Sequence, residues 1–520
     1  MLRFSSIFRA LLVTSALPLG LLAKSDKPNI LIIFSDDHAL RTISAYAKED
    51  GVIQTPNIDR LASEGVRFTQ AYATCHVCSP TRASILTGKY PARLHLTDWL
   101  QGRKDYDFQE LAPPKTVSHL PFAETTLAEA LKAHGYYTAI FGKWHLGEAP
   151  SGPNAHGFDV HVPQNWYKGW PKAGYHAPFK FEGLADSPGD YLTDRLTDEA
   201  IRYIEEQHER PFFLYFSHFA VHDPIHGRPD LVAKYSKKLA AMHRPTGPKF
   251  ILEGNPDDST PLTQDELRTL ITQPSHSGYK LLPQRTVKIK QHQDNVEFAA
   301  MVEAIDESLG RVMAQLEALE LSNDTIIIFT ADNGGMSAGN FGNPKRVIDT
   351  GELNKAYATS NLPLRGAKGW LYEGGIRVPT IVKWPGQGQA GVECHEPIVS
   401  TDFFPSLLHM VELPALPNQT IDGVNVAPLL KGEPFDRGPI YWHFPHYSNH
   451  GMQSPGGAIR IGDHKLLDYF ENDSVQLFDL AKDPGERQDL ATATPELAAT
   501  LHTKLKTWRE QVGAEMMPKK

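Results

Sequence analysis

The sequence is a mildly acidic chain of 520 residues with a formal net charge of −9 and a hydrophobic content of 41%. A chain of this length can bury a large core, and its dispersed charge excludes the basic surface expected of a nucleic-acid-binding protein. Three cysteines in so long a chain exclude a disulfide framework. Pairing of Cys75 with Cys394 stays open at this point.

The N-terminus has the pattern of a secretory signal peptide, predicted over residues 1–23. Arg3 and Arg9 come first, an apolar run follows from 10 to 22, and the chain turns polar at Lys24. The apolar run is too short for a transmembrane helix, and no cysteine follows it as a lipid anchor. We therefore expect export to the periplasm or the medium, without stable membrane insertion after cleavage.

Four apolar, β-rich runs predict strands that are covered on both faces, as in a parallel sheet. They are Asn29–Phe34, Tyr137–Phe141, Pro211–Ser217 and Thr325–Thr330. Between the last two lies a long apolar stripe at helical spacing, which predicts a core helix over Asp294–Leu319.

Polar and ionisable residues follow directly after each of the four runs. In α/β proteins, ligands bind at the carboxyl ends of the strands, so these residues are candidates for a shared site. Each group also has an ordinary interpretation as a helix cap, a turn or a surface charge. In chain order the candidates are Asp36 and Asp37, Lys143 and His145, His222, and Asp332 and Asn333.

The stretch Cys78–Gly88 predicts a loop that leads into a helix. Pro80 suits the first helical turn and Gly88 suits the helix end. Cys78 would then lie at a helix N-terminus, where negative charge is favoured. The residues alone leave two other interpretations open: a buried structural cysteine, or a redox or metal pair formed with Cys75.

The run Cys-Ser-Pro-Thr-Arg that begins at Cys78, followed by Thr-Gly, resembles the signature of the formylglycine-dependent, type I sulfatases. Segments at 142–147 (Gly-Lys-Trp-His-Leu-Gly), 332–334 (Asp-Asn-Gly) and 364–379 resemble further motifs of that family, in family order. One departure is Val221, which stands where the family commonly has a proline before the histidine. The resemblance spans nearly the whole exported chain and is nearest to bacterial exported carbohydrate sulfatases and arylsulfatases.

The resemblance implies an α/β fold of the alkaline-phosphatase type, with a mixed, mostly parallel central sheet flanked by helices. We expect a catalytic domain over residues 24–432 and a C-terminal subdomain over 433–520. The subdomain would carry antiparallel strands at Ala458–Leu467 and Val475–Leu480 and a terminal helix near Pro495–Gln511. The irregular stretch Arg228–Lys290 is expected to form a wall of the substrate cleft.

The resemblance also implies a nucleophile and a metal. Cys78 would be oxidised to formylglycine, whose hydrate attacks sulfur, and Asp332 is placed to take its proton. Oxygen ligands in a flexible carboxylate and carbonyl set favour Ca²⁺ over Mg²⁺. The implied ligands are Asp36, Asp37, Cys78 in its modified form, Asp332 and Asn333.

The remaining implied roles concern the substrate. The cations would hold the sulfate and the hydrate, His222 would protonate the leaving oxygen, and His145 would deprotonate the second hydroxyl of the hydrate. Glu373 and Arg377 are expected to brace the fold. The predicted sulfate-binding cations are Arg82, Lys143 and Lys368, and the predicted glycan contacts are His226, His443 and His446.

These expectations predict hydrolysis of sulfate monoesters, on a sulfated carbohydrate substrate. Trp99, Trp166 and Trp170 are candidates to stack on sugar faces. The partner required for maturation would be a formylglycine-generating enzyme or its anaerobic counterpart. Two alternatives are a phosphomonoesterase or phosphonate hydrolase of the related fold, and a catalytically silent glycan-binding protein in which Cys78 stays unmodified.

Overall fold

The structure is a computed structural model that describes residues 27–47, 51–107, 109–165, 169–243, 245–254, 262–270, 286–340, 353–450 and 453–520. The predicted signal peptide and Trp166 lie outside the described residues. Among the described helices, none is both long enough and apolar enough to cross a bilayer.

The strands follow runs rich in β-branched and aromatic residues, which favour extended backbone. In chain order they are β1 Asn29–Ser35, β2 Val66–Phe68, β3 Ala71–Tyr72, β4 Tyr137–Gly142, β5 Val160–Val162, β6 Phe212–Ser217, β7 Phe250–Glu253, β8 Val287–Lys290, β9 Thr325–Ala331, β10 Thr380–Lys383, β11 Val392–Cys394, β12 Ile398–Val399, β13 Ile440–Phe444, β14 Gly456–Ile461, β15 His464–Tyr469 and β16 Ser474–Asp479.

Several helices begin and end at capping residues that the sequence displays. Thr126 and Glu129 form a capping box, Asn295 accepts two N–H groups of the longest described helix, and Gly88 ends its helix with φ of 70°. In chain order the α-helices are α1 Ser44–Ala47, α2 Pro56–Glu64, α3 Cys78–Thr87, α4 Pro91–Leu94, α5 Leu127–Lys132, α6 Leu192–Gln207, α7 Pro229–Ala241, α8 Gln264–Leu270, α9 Val296–Ala318, α10 Leu353–Ala356, α11 Glu373–Ile376, α12 Phe403–Met410, α13 Ala427–Leu430 and α14 Pro495–Val512.

The largest sheet among the described residues has eight strands, in the order β11-β2-β10-β9-β1-β6-β4-β5. The five strands from β9 to β5 are parallel to one another, whereas β10 is antiparallel to both β9 and β2. Helices cover both faces. The predicted mixed, mostly parallel sheet flanked by helices is therefore confirmed.

Alternate residues of the central strand β1 enter two separate cores. Leu31 and Ile33 pack on the side of α2, α6, α7 and α9, whereas Ile32 and Phe34 pack on the side of α3, α5 and α12. Because side chains alternate across a strand, a continuous apolar run is needed when both faces are covered. This explains why the run at β1 contains no polar residue between Asn29 and Ser35.

The predicted C-terminal antiparallel sheet and terminal helix are also confirmed. Strands β13 to β16 form a meander, and α14 packs on it through Leu501, Leu505 and Trp508. The stretch Ala458–Leu467 belongs to two strands, because the chain turns at Gly462, where φ is 55°. The small sheet begins at Ile440, and the domain limits at 432 and 433 stay a prediction.

The stretch from 66 to 72 divides into β2 and β3, which pair in different sheets because β3 takes β12 as its partner.

One other predicted segment differs in the structure. The stretch Arg228–Lys290 contains α7, which buries Leu231 and Tyr235 against the core. Its apolar stripe is short, so the periodicity was too weak to indicate a helix. No described residue of this stretch lines the cavity beside Cys78 that is described below. The prediction that the stretch forms a wall of the substrate cleft is therefore wrong for its described residues.

The small sheet is tied to the rest of the chain by a buried ion cluster. Lys465 on β15 donates to Glu373 of α11 at 3.0 Å and to Glu486 at 2.9 Å, and all three side chains are inaccessible to solvent. Tyr72 also donates to Glu373, at 2.7 Å, and Arg377 donates to the carbonyl of Thr69. Glu373 and Arg377 thus brace the fold, as predicted.

We expect Lys465→Met to destabilise the protein by about 3–5 kcal/mol, because it removes the buried cation that Glu373 and Glu486 share. The midpoint of urea unfolding at pH 7 measures the change. Lys482→Met is the matched control, since that lysine pairs with Asp479 while its side chain is 85% exposed, and we expect its midpoint to match that of the unaltered protein. Equal midpoints for both variants would contradict the assigned role.

Candidate active site

The four predicted strand ends meet at one edge of the large sheet. β4, β6, β1 and β9 are neighbours and parallel, so the loops that follow them converge. The N–H of Asp36 donates to the carbonyl of Ala220 at 2.9 Å, and the N–H of Lys143 donates to the carbonyl of Ser217 at 2.7 Å. Gly142 is required here, because φ is 102° and a Cβ would lie 1.8 Å from the Ser217 oxygen.

Cys78 is the first residue of α3, as predicted, and it faces the cavity described below. The thiol is almost fully buried. All three cysteines are free thiols, so the Cys75–Cys394 disulfide left open by the sequence does not form in this structure. Burial raises the pKa of the Cys75 thiol, which makes that neighbour a poor redox partner.

Asp37 lies at the centre of the polar cluster, with φ of 60°. Its Oδ1 accepts from Nδ2 of Asn333 at 2.8 Å, and its Oδ2 accepts from Nζ of Lys368 at 2.7 Å. Its N–H donates to Oδ1 of Asp332 at 3.1 Å. Burial alone would raise the pKa of Asp37, but the Lys368 ammonium holds it below its usual value.

Arg82 joins α3 to the strand ends. Its Nε and Nη2 donate to Oδ2 of Asp332 at 3.0 and 2.9 Å, and its Nη1 donates to Oγ of Ser217 at 2.5 Å. The guanidinium also lies over the ring of Phe34, 4.8 Å from the centroid. A planar, five-donor group is suited to hold several acceptors at once. Arg82 therefore fixes the start of α3 against β6 and β9.

Lys143 is completely buried and donates to Oδ2 of Asp36. Burial and the charge of Asp332 together raise the pKa of Asp36 to about 7. Clustered carboxylates raise one another's pKa in this way when too little positive charge lies between them. A cation bound beside Asp36 would stabilise the ionised form of this carboxyl.

The carboxylate and amide oxygens of the cluster fit a hard divalent metal ion. Ligand-capable atoms of Asp36, Asp37, Cys78 and His222 lie within 4.8 Å of one another. Oδ1 of Asp36 and Oδ1 of Asn333 are buried and accept no hydrogen bond from the described residues, which leaves two oxygens available for a ligand. Asp332 borders this group, but both of its oxygens accept from protein donors.

The carboxylates around His222 favour its protonated form. Its Nδ1 lies 2.7 Å from Oδ1 of Asp223, its Nε2 lies 3.7 Å from Oδ2 of Asp37, and its ring is parallel to that of Trp170 within 7°. Burial and Lys368 would lower the pKa of His222, yet the carboxylates of Asp37 and Asp223 raise it well above 6.5.

His145 is the neutral histidine of the site. Its Nε2 lies 2.6 Å from the carbonyl of Leu100, and its Nδ1 is buried and unpartnered among the described residues. Burial and the charge of Lys143 lower the pKa of His145 well below 6.5. Both residues follow the strand, as predicted, because β4 ends at Gly142, and His145 has φ of 56°.

These side chains open into a cavity of about 360 Å³, large enough for one sugar-sized ligand. Five of its residues were not predicted from the sequence: Val77, Asp223, Asn340, Asn449 and His450. Asn449 and His450 lie a few residues after the predicted glycan contacts His443 and His446. The full lining is Val77, Cys78, Trp99, His145, Trp170, His222, Asp223, Asn340, Lys368, Asn449 and His450.

The three histidines predicted as glycan contacts do not line this cavity. His443 and His446 are buried, the first 2.8 Å from the carbonyl of Glu515 and the second 2.8 Å from the hydroxyl of Thr97. Both lie on or just after β13, where alternation decides which side chains face inward. His226 is partly buried beside His176, outside the cavity lining.

A family model described as "Sulfatase" matches residues 28–413, which is well over half of the chain. The chain belongs to the sulfatase family. A second model, described as "N-sulphoglucosamine sulphohydrolase, C-terminal", matches residues 367–511 of this sulfatase. Membership identifies it as a sulfuric ester hydrolase, in agreement with the motif resemblance.

Among curated proteins, arylsulfatase A of Bos taurus is 30% identical to this sulfatase, over 94% of the chain and 87% of the relative. A solved protein described as "in complex with its substrate D-Glucosamine-2-N, 6-O-disulfate" shares the fold at 22% identity and a TM-score of 0.66, covering 94% and 98% of the two chains. The phosphonate monoester hydrolase of Agrobacterium radiobacter also shares it, at 21% identity and a TM-score of 0.58, over 94% and 96%. The fold by itself therefore does not distinguish the two chemistries.

Proposed function

We propose that this sulfatase removes sulfate from a sulfated saccharide, with a formylglycine derived from Cys78 as nucleophile and one Ca²⁺ as cofactor. The observation that carries the proposal is a single cavity in which Cys78 is surrounded by a neutral histidine, a protonated histidine and a buried lysine. Sulfate transfer needs a nucleophile, positive charge and a proton donor in one place.

The modified Cys78 would supply the nucleophile, as a hydrated aldehyde at the start of α3. The position suits it for two reasons. The first N–H groups of a helix favour developing negative charge, and the Arg82 guanidinium anchors the same helix against Asp332. Conversion requires a formylglycine-generating enzyme or its anaerobic counterpart, and we propose that one of these acts on the chain.

Asp36, Asp37 and Asn333 would hold the metal, with Asp332 at its border. When bound, a divalent ion polarises a sulfate oxygen and offsets charge. Oxygen-only donors of mixed carboxylate and amide type favour Ca²⁺ over Mg²⁺, because Mg²⁺ demands a stricter geometry. The two unpartnered oxygens of Asp36 and Asn333 support this assignment.

Lys143 and Lys368 would bind the remaining sulfate oxygens. Both ammonium groups are buried beside the carboxylates, so their charge acts in a low dielectric environment and requires little reorganisation. His222, which is held protonated by Asp37 and Asp223, would donate a proton to the departing sugar oxygen. His145, which is held neutral, would accept a proton when sulfate is released.

The cavity walls favour a sugar over a flat aryl group. Trp99 and Trp170 offer aromatic faces, whereas Asp223, Asn340 and Asn449 offer hydrogen-bonding groups around them. Recognition of a sulfated monosaccharide by the solved relative of the same fold supports this choice. With the predicted signal peptide, the substrate would be met in the periplasm or outside the cell.

Sulfate release by the matured protein tests the proposal. We expect kcat/KM for 4-nitrophenyl sulfate to exceed that for 4-nitrophenyl phosphate by about 100-fold or more, since the chain belongs to the sulfatase family. Defined sulfated mono- and oligosaccharides then identify the sugar. Preferred hydrolysis of the phosphate would indicate the phosphoesterase alternative, and saccharide binding without turnover would indicate the silent glycan-binding protein.

A further inference from the structure

We propose that a second cavity, adjoining the first, binds the next sugar ring of an oligosaccharide whose sulfated ring occupies the cavity at Cys78. This inference rests on the function proposed above. The second cavity measures about 500 Å³, and Trp99 and Trp170 line both cavities. The two cavities therefore adjoin at these two indole side chains.

The second cavity is held in a fixed position relative to the catalytic groups. Its floor, Gly147–Ser151, continues the loop that carries His145. Leu100 lines its wall, and the Leu100 carbonyl lies 2.6 Å from Nε2 of His145. Gly169 packs so closely on the same ring that a Cβ there would lie 2.6 Å from it. A sugar ring bound in the second cavity would therefore contact residues that also hold His145 in place.

Phe122 is the feature that points to a sugar. Its side chain is 53% exposed, the largest exposure among the exposed large hydrophobic residues of the described chain. One side of the ring stacks on buried His156, with centroids 5.2 Å apart and planes within 9°. The ring of His119 lies 5.5 Å from that of Phe122, at 48°. A half-exposed aromatic ring that two neighbouring rings support within a cavity is suited to the apolar C–H face of a pyranose.

The remaining lining provides hydrogen bonds for the polar rim of such a ring. Nε2 of Gln101 donates to Oε1 of Glu148 at 3.0 Å, and both side chains border the cavity. Lys172 and His119 lie in the same lining. An aromatic surface bordered by amide, carboxylate and ammonium groups matches the amphipathic surface of a saccharide better than that of a lipid or an aryl group.

The test compares a sulfated monosaccharide with a tetrasaccharide that carries the same sulfated residue at its reactive end, with 4-nitrophenyl sulfate as the reference. We expect the unaltered enzyme to favour the tetrasaccharide in kcat/KM by about tenfold, the equivalent of one stacked ring. Phe122→Ala should reduce this ratio to near one. Met242→Ala is the control, since Met242 is 39% exposed but lines neither cavity.

A parallel titration with Cys78→Ala protein measures binding of the same two saccharides without turnover. Tighter binding of the tetrasaccharide, lost in the Cys78→Ala, Phe122→Ala double variant, supports the inference. A tetrasaccharide preference that survives Phe122→Ala, or no preference in either assay, overturns it while the sulfatase assignment stands. Absence of sulfate release from every substrate by the matured enzyme would instead overturn the proposed function.

Discussion

Cys78→Ala is expected to lower sulfate release by about 10³-fold or more, because the residue supplies the nucleophile of the proposed reaction. Cys75→Ala is the matched control: it removes another buried thiol, only three residues away, but one that does not line the cavity. We expect that variant to keep most of the activity. Sulfate release from an aryl sulfate measures both.

Peptide mass spectrometry completes this test. In protein co-expressed with a maturing enzyme, the peptide that contains Cys78 should carry the mass of the aldehyde, and the peptide that contains Cys75 should keep its thiol. Active protein in which Cys78 remains entirely a thiol would contradict the formylglycine assignment. Loss of activity in both alanine variants would instead indicate the redox pair that the sequence left open.

Asp37→Asn is expected to lower Ca²⁺ affinity by about 100-fold or more and to abolish turnover, because it removes one negative charge from the centre of the donor set. Asparagine keeps the size of the side chain and tolerates φ of 60°. The amount of Ca²⁺ that remains bound per chain after dialysis, measured by elemental mass spectrometry, tests this prediction.

The control for this variant is Asp422→Asn. The Asp422 carboxylate pairs with Arg93, as that of Asp37 pairs with Lys368, but it lies away from the cavity. We expect it to retain metal and activity. Zinc as the bound, functional ion would contradict the calcium assignment. Full activity of Asp37→Asn, or of the unaltered enzyme after exhaustive chelation, would contradict the need for a metal.

Much of the fold followed from local sequence patterns. The runs at β1 and β9 are so uniformly apolar that only a doubly covered strand accommodates them, and the apolar stripe of α9 fits only a helix. The helix that begins at Cys78 was predicted from Pro80 and Gly88, because both residues act on the backbone at their own position. α7 was missed because two buried residues, Leu231 and Tyr235, make too short a stripe.

The sequence by itself determined which residue types stand at the strand ends, and the motif resemblance indicated that Cys78, Lys143, His222 and Asp332 belong together. Only the tertiary structure decided the protonation of His145 and His222, which carry the same side chain. His145 is buried beside Lys143, whereas His222 lies between Asp37 and Asp223. A pKa depends on the charges around a group in space, and these come from distant parts of the chain.

The same reason explains the errors at the substrate side. His443 and His446 looked like glycan contacts, but strand alternation and the packing of the C-terminal sheet bury them, and Asn449 and His450 line the cavity instead. The second cavity at Phe122 was equally hidden, because its residues come from four separate segments that no short motif connects. A motif consists of residues that are close in sequence, whereas the exposure of a side chain depends on all the segments that pack against it.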